Sequence, residues 1–243
     1  MKNIKIDINA DVGEGVGNES KLFPLISSCN IACGGHAGDV DSMSSVVRLA
    51  KMNKLKIGAH PSYPDKKNFG RKVMDISKKE LEKSLMNQIE SLSSILSKES
   101  LELNHIKPHG ALYNFSANDE KTARIIIDIV KQIKTKLYVP YSSHISKMAA
   151  EEGVEICNEL FIDRNYNMDL SLVSRDNSNA IIQNPDEMFR HVKNIINKKI
   201  VTIEGIEKRV DFDTLCIHGD NPSAVKLIRE LHSKLNTIGI EIL

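Results

Sequence analysis

The sequence predicts a single-domain, distorted (β/α) barrel, short of the usual eight strands and carrying an appended β-hairpin. Three observations lead there. A strand, a polar exit and a helix follow one another about seven times along 243 residues, an alternation that gives a parallel sheet with right-handed crossovers. No composition break, low-complexity segment or linker marks a second domain, so residues 1–243 are taken as one unit. The titratable residues gather where strands end, which is where parallel α/β folds bind ligands. A doubly wound open sheet is the alternative architecture.

Ile4–Val12 begins as an alternating strand, with Ile4, Ile6 and Ile8 on one face and Asp7, Asn9 and Asp11 on the other. A polar face on a first strand suits a barrel interior or a cleft. Ser27–Gly38 is a short strand running into a glycine-rich loop that carries His36. Asp39–Asn53 reads as a helix, with Met43, Val46, Val47 and Ala50 at helical spacing. Leu55–Ala59 is the next strand and ends at His60-Pro61. After the polar loop Ser62–Met74, with Phe69-Gly70-Arg71, Ser77 and Glu80 form a capping box. The helix it opens turns Leu81, Leu85, Ile89, Leu92 and Ile95 inward.

Leu101–Ile106 is a strand, and its exit crowds Lys107, His109, Tyr113 and Asn114 into a few residues. Pro108 and Gly110 force that backbone out of strand geometry. Asn118–Lys134 is a helix, Lys136–Val139 a strand leading to Tyr141, and the following helix stops at Gly153. Val154–Ile162 is a strand ending in Asp163-Arg164. Asn184-Pro185 caps another helix, and Lys199–Phe212 alternates around Glu204-Gly205 as a hairpin. The last unit is the strand Thr214–Ile217, the exit His218-Gly219-Asp220, a second Asn-Pro cap at Asn221-Pro222, and a helix to Asn236.

Composition limits the function. Hydrophobic residues make up 41% and charged residues 27%, ordinary for a soluble enzyme. A net charge of +1 leaves no excess cation for a nucleic-acid or acidic-membrane surface, so neither partner is expected. Cys29 and Cys33 lack a second close pair to complete a zinc quartet, and Cys157 and Cys216 read as small core residues. No secretory leader or membrane-spanning run is visible, so a reducing cytoplasm is the expected location.

The exits collect Asp7, Asn9, Asp11, His36, His60, Lys107, His109, Tyr141, Glu159, Asp163, Arg164, His218 and Asp220. One histidine at a strand end is often structural, but several on one rim point to chemistry. Three readings compete. Asp7 or Asp11 with His36 and His60 would hold a metal that activates water. Alternatively, His36, His60 or His109 would relay protons while Lys107 and Arg71 hold an anion. A pure binding module is the third. No phosphate-binding loop, dinucleotide fingerprint or serine nucleophile elbow occurs.

The motifs Asp7–Glu14, Asn30–Asp39, Gly58–Asp65, Phe69–Arg71, Lys107–Asn114 and Cys216–Pro222 resemble those of the LamB/YcsF family along nearly the whole chain. The resemblance implies a seven-stranded barrel related to glycoside hydrolases and deacetylases. It also implies ATP-dependent opening of the lactam 5-oxoproline to L-glutamate by an A subunit working with B and C subunits. Which subunit takes up ATP stays open, as does a divalent metal, with magnesium accompanying ATP. Homo-oligomer formation is compatible with this. The residues placed in catalysis are Asp11, His36, His60, Lys107 and His109. Asp7, Asn9, Arg71, Tyr113, Asn114, Glu159, Arg164 and His218 are placed around the substrate. Departures from the family pattern are Gly35 where an aromatic residue is expected, Val40 in place of proline, and Asp169–Arg175 without its glycine and proline.

Overall fold

Seven parallel strands close on themselves. A computed structural model describes residues 4–221 and 223–243. Its strands in chain order are β1 (Ile4–Ile6), β2 (Ile8–Val12), β3 (Ser28–Ala32), β4 (Lys56–His60), β5 (His105–Ile106), β6 (Lys136–Pro140), β7 (Ile156–Phe161), β8 (Lys199–Val201), β9 (Glu207–Arg209), β10 (Thr214–His218) and β11 (Ile240–Ile242). The helices are α1 (Glu19–Leu22), α2 (Val40–Met52), α3 (Lys78–Lys98), α4 (Gly110–Ser116), α5 (Glu120–Ile133), α6 (His144–Glu151), α7 (Pro185–Ile196) and α8 (Ala224–Thr237). The barrel runs β2, β3, β4, β5, β6, β7, β10 and back to β2. Closure excludes the open doubly wound sheet. The expected hairpin is present as antiparallel β8 and β9.

Local chemistry sets the helix starts. Asp39 and Ser42 form a reciprocal capping box on α2, and Ser77 and Glu80 do so on α3. The Asp119 side chain accepts from Thr122 N at the start of α5, and Asn184 accepts from Asp186 N and Glu187 N at the start of α7. The Asn221-Pro222 cap lies partly outside the described residues, since Pro222 is not among them. Asn221 Oδ1 itself accepts from Ser223 N at 2.9 Å. The expected inward stripe of α3 is buried at all five positions. Among the described residues no helix is long and apolar enough to cross a membrane.

The structure corrects three expected elements. Ile4–Val12 is two strands, because the chain breaks at Asp7: β2 enters the barrel, while β1 pairs outside it with the unforeseen β11. Leu101–Ile106 contributes only His105–Ile106 to the ladder. Gly110–Ser116, which includes the end of the expected strand exit, is the helix α4. It is anchored from outside itself, with Ala111 N donating to the Gly70 carbonyl at 2.9 Å.

The strands' apolar faces pack against the helices, as Ile8, Ala10, Leu215 and Ile217 do, all fully buried. The other face fills the barrel with polar side chains. Asn9 Nδ2 donates to Glu159 Oε1 (2.8 Å) and Thr214 Oγ1 (3.0 Å), and Asn30 Nδ2 donates to Asn9 Oδ1 (2.7 Å) and Asp11 Oδ1 (2.8 Å). His105 stacks on Tyr138 and meets Asn30 Oδ1 at 2.6 Å. Gly58 makes room for it, because a Cβ there would lie 2.1 Å from His105 Nε2. Most barrels fill this space with branched apolar residues. Here buried polar atoms satisfy one another, which fixes a unique interior.

Candidate active site

The C-terminal strand ends and the loops above them enclose a cavity of about 360 Å³. Of the residues expected there, Asp11, His60, Arg71, Lys107, His109, Tyr113, Asn114, Arg164 and His218 line it. His36 and Glu159 stand just behind the wall, in contact with the lining residues Glu14 and Tyr113 respectively. Asn9 lies in the barrel interior below. Asp7 is at the other end of the barrel, since β2 begins one residue after it. It accepts there from Ser28 Oγ (3.2 Å), Thr214 Oγ1 (2.7 Å) and Lys56 Nζ (3.1 Å), all near strand starts. An aspartate before a strand cannot be a residue of that strand's exit, so Asp7 belongs to the base of the barrel.

Lys107 is the centre of the floor. Its side chain is 1% exposed, and Nζ donates to Asp11 Oδ1 (2.9 Å), Glu159 Oε1 (2.9 Å) and Cys216 Sγ (3.0 Å). Burial alone would lower its pKa, but Asp11, Cys216 and Glu159 outweigh that and raise it well above the usual lysine value. All three of its protons are engaged by protein, so an anion could be held here only by displacing one of these acceptors. Cys216, expected as core filler, therefore faces the barrel interior. Glu159 also accepts from Tyr113 Oη at 2.8 Å. Burial and then Glu159 push the Tyr113 hydroxyl well above its ordinary value.

Beside Lys107 stand three histidines. The rings of His36 and His109 stack at 3.6 Å between centroids and 4° between planes. His60 meets His109 edge-on, with Nε2 and Nδ1 3.0 Å apart. His36 Nε2 lies 3.0 Å from Glu14 Oε1, and His36 Nδ1 is buried without a protein partner. Burial drives the His36 imidazole down to about 3 and holds His109 well below the usual range. Glu14, not anticipated as a site residue, is pushed by burial and by Asp11 up to about 7. Burial raises Asp11 too, but His60 and Lys107 prevail and keep its carboxyl well below the usual value. Glu14, His36, His60 and His109 each bring a donor atom within 4.8 Å of the others. The signal for Glu14 was its place at the end of the Asp7–Glu14 motif.

Two arginines face each other at the mouth. Arg71, from the loop after β4, pairs with Asp220 and lies over the Phe69 ring at 4.8 Å. Arg175 approaches the same Asp220 oxygen at 3.7 Å. Arg164, by contrast, spends its donors on the Val173 (2.6 Å) and Ala180 (3.1 Å) carbonyls, which hold the loop after β7 in place. At Gly35, where an aromatic residue was expected, a Cβ would lie 2.4 Å from both Gln88 Oε1 and Ser62 Oγ. Those side chains take up that space.

Asp163 and His218 form a supporting pair on the far wall. Asp163 is fully buried and accepts from His218 N (3.1 Å) and Nδ1 (3.0 Å). Burial pushes its carboxyl up, but His218 overcomes this and holds it below the usual value. A depressed carboxyl stabilises the fold above its unfolded value of about 3.9, and that stability is lost as pH falls through the folded value. Asp163→Asn should therefore flatten the acid limb of the stability curve below about pH 4. Near neutrality it should cost about 2 kcal/mol. Urea unfolding across pH measures both, and an unchanged acid limb would refute the assignment.

Known proteins bear on this geometry. The chain is 40% identical to a 5-oxoprolinase A subunit from Haemophilus influenzae (strain PittEE) over 98% of both chains. It is 37% identical to a protein of the same name from Pyrococcus furiosus, over 99% of this chain and 97% of that one. The crystal structure of a lactam utilization protein from Thermus thermophilus superposes with a TM-score of 0.91 at 36% identity, covering 98% of this chain and 99% of that one. A family 4 carbohydrate esterase from Streptomyces lividans shares only the fold, with a TM-score of 0.54 at 9% identity over 99% of this chain and 92% of the esterase. The LamB/YcsF family model matches residues 6–243. The chain belongs to the LamB/YcsF family.

Proposed function

We propose that this chain is the A subunit of a 5-oxoprolinase, a hydrolase that opens the lactam of 5-oxoproline to give L-glutamate. The observation that carries the reading is the end-to-end likeness to relatives of that name, which leaves neither chain an unmatched domain. The cavity is in keeping with it. A small lactam acid needs one cationic contact for its carboxylate, and Arg71 and Arg175 offer it at the mouth, where Asp220 now occupies them. The amide would then reach towards the floor, where Glu14, His60 and His109 can hold or move a proton. Lys107 holds Asp11 and Glu159 in place by direct contact, while Tyr113 and Asn114 close one side.

The reaction is uphill for a five-membered lactam in water, so ATP would drive it, with B and C subunits completing the assembly and magnesium accompanying the nucleotide. The isolated chain should release little glutamate, and adding the B and C subunits should restore ATP-dependent release. Full activity from this chain alone without ATP would sink the coupled scheme. A metal-dependent deacetylase or amidase is the second reading, favoured by the donor cluster at Glu14, His36, His60 and His109. A substrate-binding subunit without chemistry of its own is the third. Acetylated substrates turned over by the chain without partners would favour the second.

A further inference from the structure

Four atoms with lone pairs to offer converge on the cavity floor: His60 Nε2, His109 Nδ1, Asp11 Oδ2 and Glu14 Oε1. His60 Nδ1 lies 2.7 Å from the Lys107 carbonyl oxygen. A carbonyl can only accept, so Nδ1 carries a proton, and the neutral ring then presents its lone pair at Nε2. His109 is fixed in the opposite sense. Its Nε2 donates to the Phe69 carbonyl at 2.9 Å, which leaves the lone pair on Nδ1. Those two lone-pair nitrogens are 3.0 Å apart. Asp11 Oδ2 is 3.4 Å from His60 Nε2, and Glu14 Oε1 is 3.4 Å from His109 Nδ1. Facing lone pairs and carboxylates repel unless a proton or a metal ion lies between them.

We propose that His60 Nε2 and His109 Nδ1, with the carboxylates of Asp11 and Glu14, bind one divalent first-row transition-metal ion. Metal–nitrogen bonds of about 2.1 Å put adjacent donors of an octahedron about 3.0 Å apart, and the two imidazole nitrogens stand at that separation. The carbonyls of Lys107 and Phe69 are the outer partners that fix the tautomers and ring orientations of metal-binding histidines. Two imidazoles with carboxylates suit manganese, iron, cobalt or zinc, whereas magnesium prefers oxygen alone. The site is thus distinct from any magnesium that accompanies ATP. A bound ion there supplies a Lewis acid beside the substrate.

His36 is not a ligand, although it belongs to the same cluster. Its ring is parallel to that of His109, 3.6 Å away. An ion in the plane of one ring therefore cannot lie in the plane of the other. His36 instead meets Glu14 Oε1 at 3.0 Å and orients that carboxylate. Asp11 is oriented in the same way by Asn30 and Lys107.

The test uses the full chain, stripped with a chelator and titrated with cobalt(II) chloride while visible absorption and calorimetry are followed. We expect one equivalent to bind with new visible bands. His60→Ala and His109→Ala should weaken binding by more than ~100-fold, and His36→Ala by only ~10- to 100-fold, the scale of an outer partner. Circular dichroism checks each variant's fold, and His109→Gln replaces any that unfolds. Absence of saturable uptake by the wild-type chain overturns the proposal and leaves a shared proton between His60 and His109. Equal losses from His36→Ala and His109→Ala overturn the ligand assignment. No turnover is read, so the result stands apart from the lactam assay.

Discussion

Lys107→Met should destabilise the chain by about 3–5 kcal/mol near neutral pH, the range for removing one partner of a buried charge pair. The ammonium is the common counter-ion of Asp11 and Glu159, and both side chains are almost wholly buried. Without it, two carboxylates are left uncompensated in a water-poor interior, and their proton affinity must rise. A carboxyl raised above its unfolded value stabilises the fold below that value and ceases to do so as pH rises through the folded one. The deficit should therefore be largest in alkali and should shrink on acidification. Chemical unfolding at several pH values measures it, and adding Glu159→Gln to Lys107→Met should recover part of the loss. A deficit under about 1 kcal/mol would show that the floor is not organised by this lysine.

The second large effect concerns turnover. In the complex reconstituted with B and C subunits, His60→Ala should lower kcat by about 10²- to 10⁴-fold, the usual worth of one group at the reacting end of a site, whether it moves a proton or holds a Lewis acid. His60 touches His109, approaches Asp11 and lines the cavity, so its loss alters the reacting end of the site. Arg175→Ala, at the mouth, should act mainly through KM, since it removes a contact made by substrate and transition state alike. Steady-state glutamate release separates the two. Full activity of the His60→Ala complex would place the chemistry on the partner proteins and leave this chain a binding role.

The barrel was legible because it rests on repetition. Helical stripes such as Leu81 to Ile95 and caps such as Ser77–Glu80 are local signals, and the structure keeps them at the expected positions. What was not legible depends on long-range geometry. Nothing local distinguishes Asp7 from Asp11, since both alternate correctly, and only the strand start at Ile8 sends them to opposite ends of the barrel. α4 lacks a side-chain cap and is anchored by the Gly70 carbonyl, forty residues earlier, so its sequence reads as an exit loop. β11 gains its meaning only from β1. Glu14 lies in a glycine-rich turn and becomes a buried acid only when His36 and His109 fold over it. The exits named much of the cavity lining but also Asp7, which lies at the opposite end, and the depth of the cavity required the fold.

The pairing of β2 with β10 carries a consequence for the nascent chain. Asp7 and Thr214, bonded across that seam, are 207 residues apart, so every strand between them must be made before the first barrel strand meets its last neighbour. Until then β2 presents an unpaired ladder edge and Asn9 lacks Thr214, a state open to mispairing and slow to close. His218 arrives on the same late strand, and β1 with β11 then fastens the two ends. Translation order thus leaves the cavity unfinished until β10 emerges, and a chain stalled short of β10 holds most of the cavity's polar side chains without a vessel to put them in.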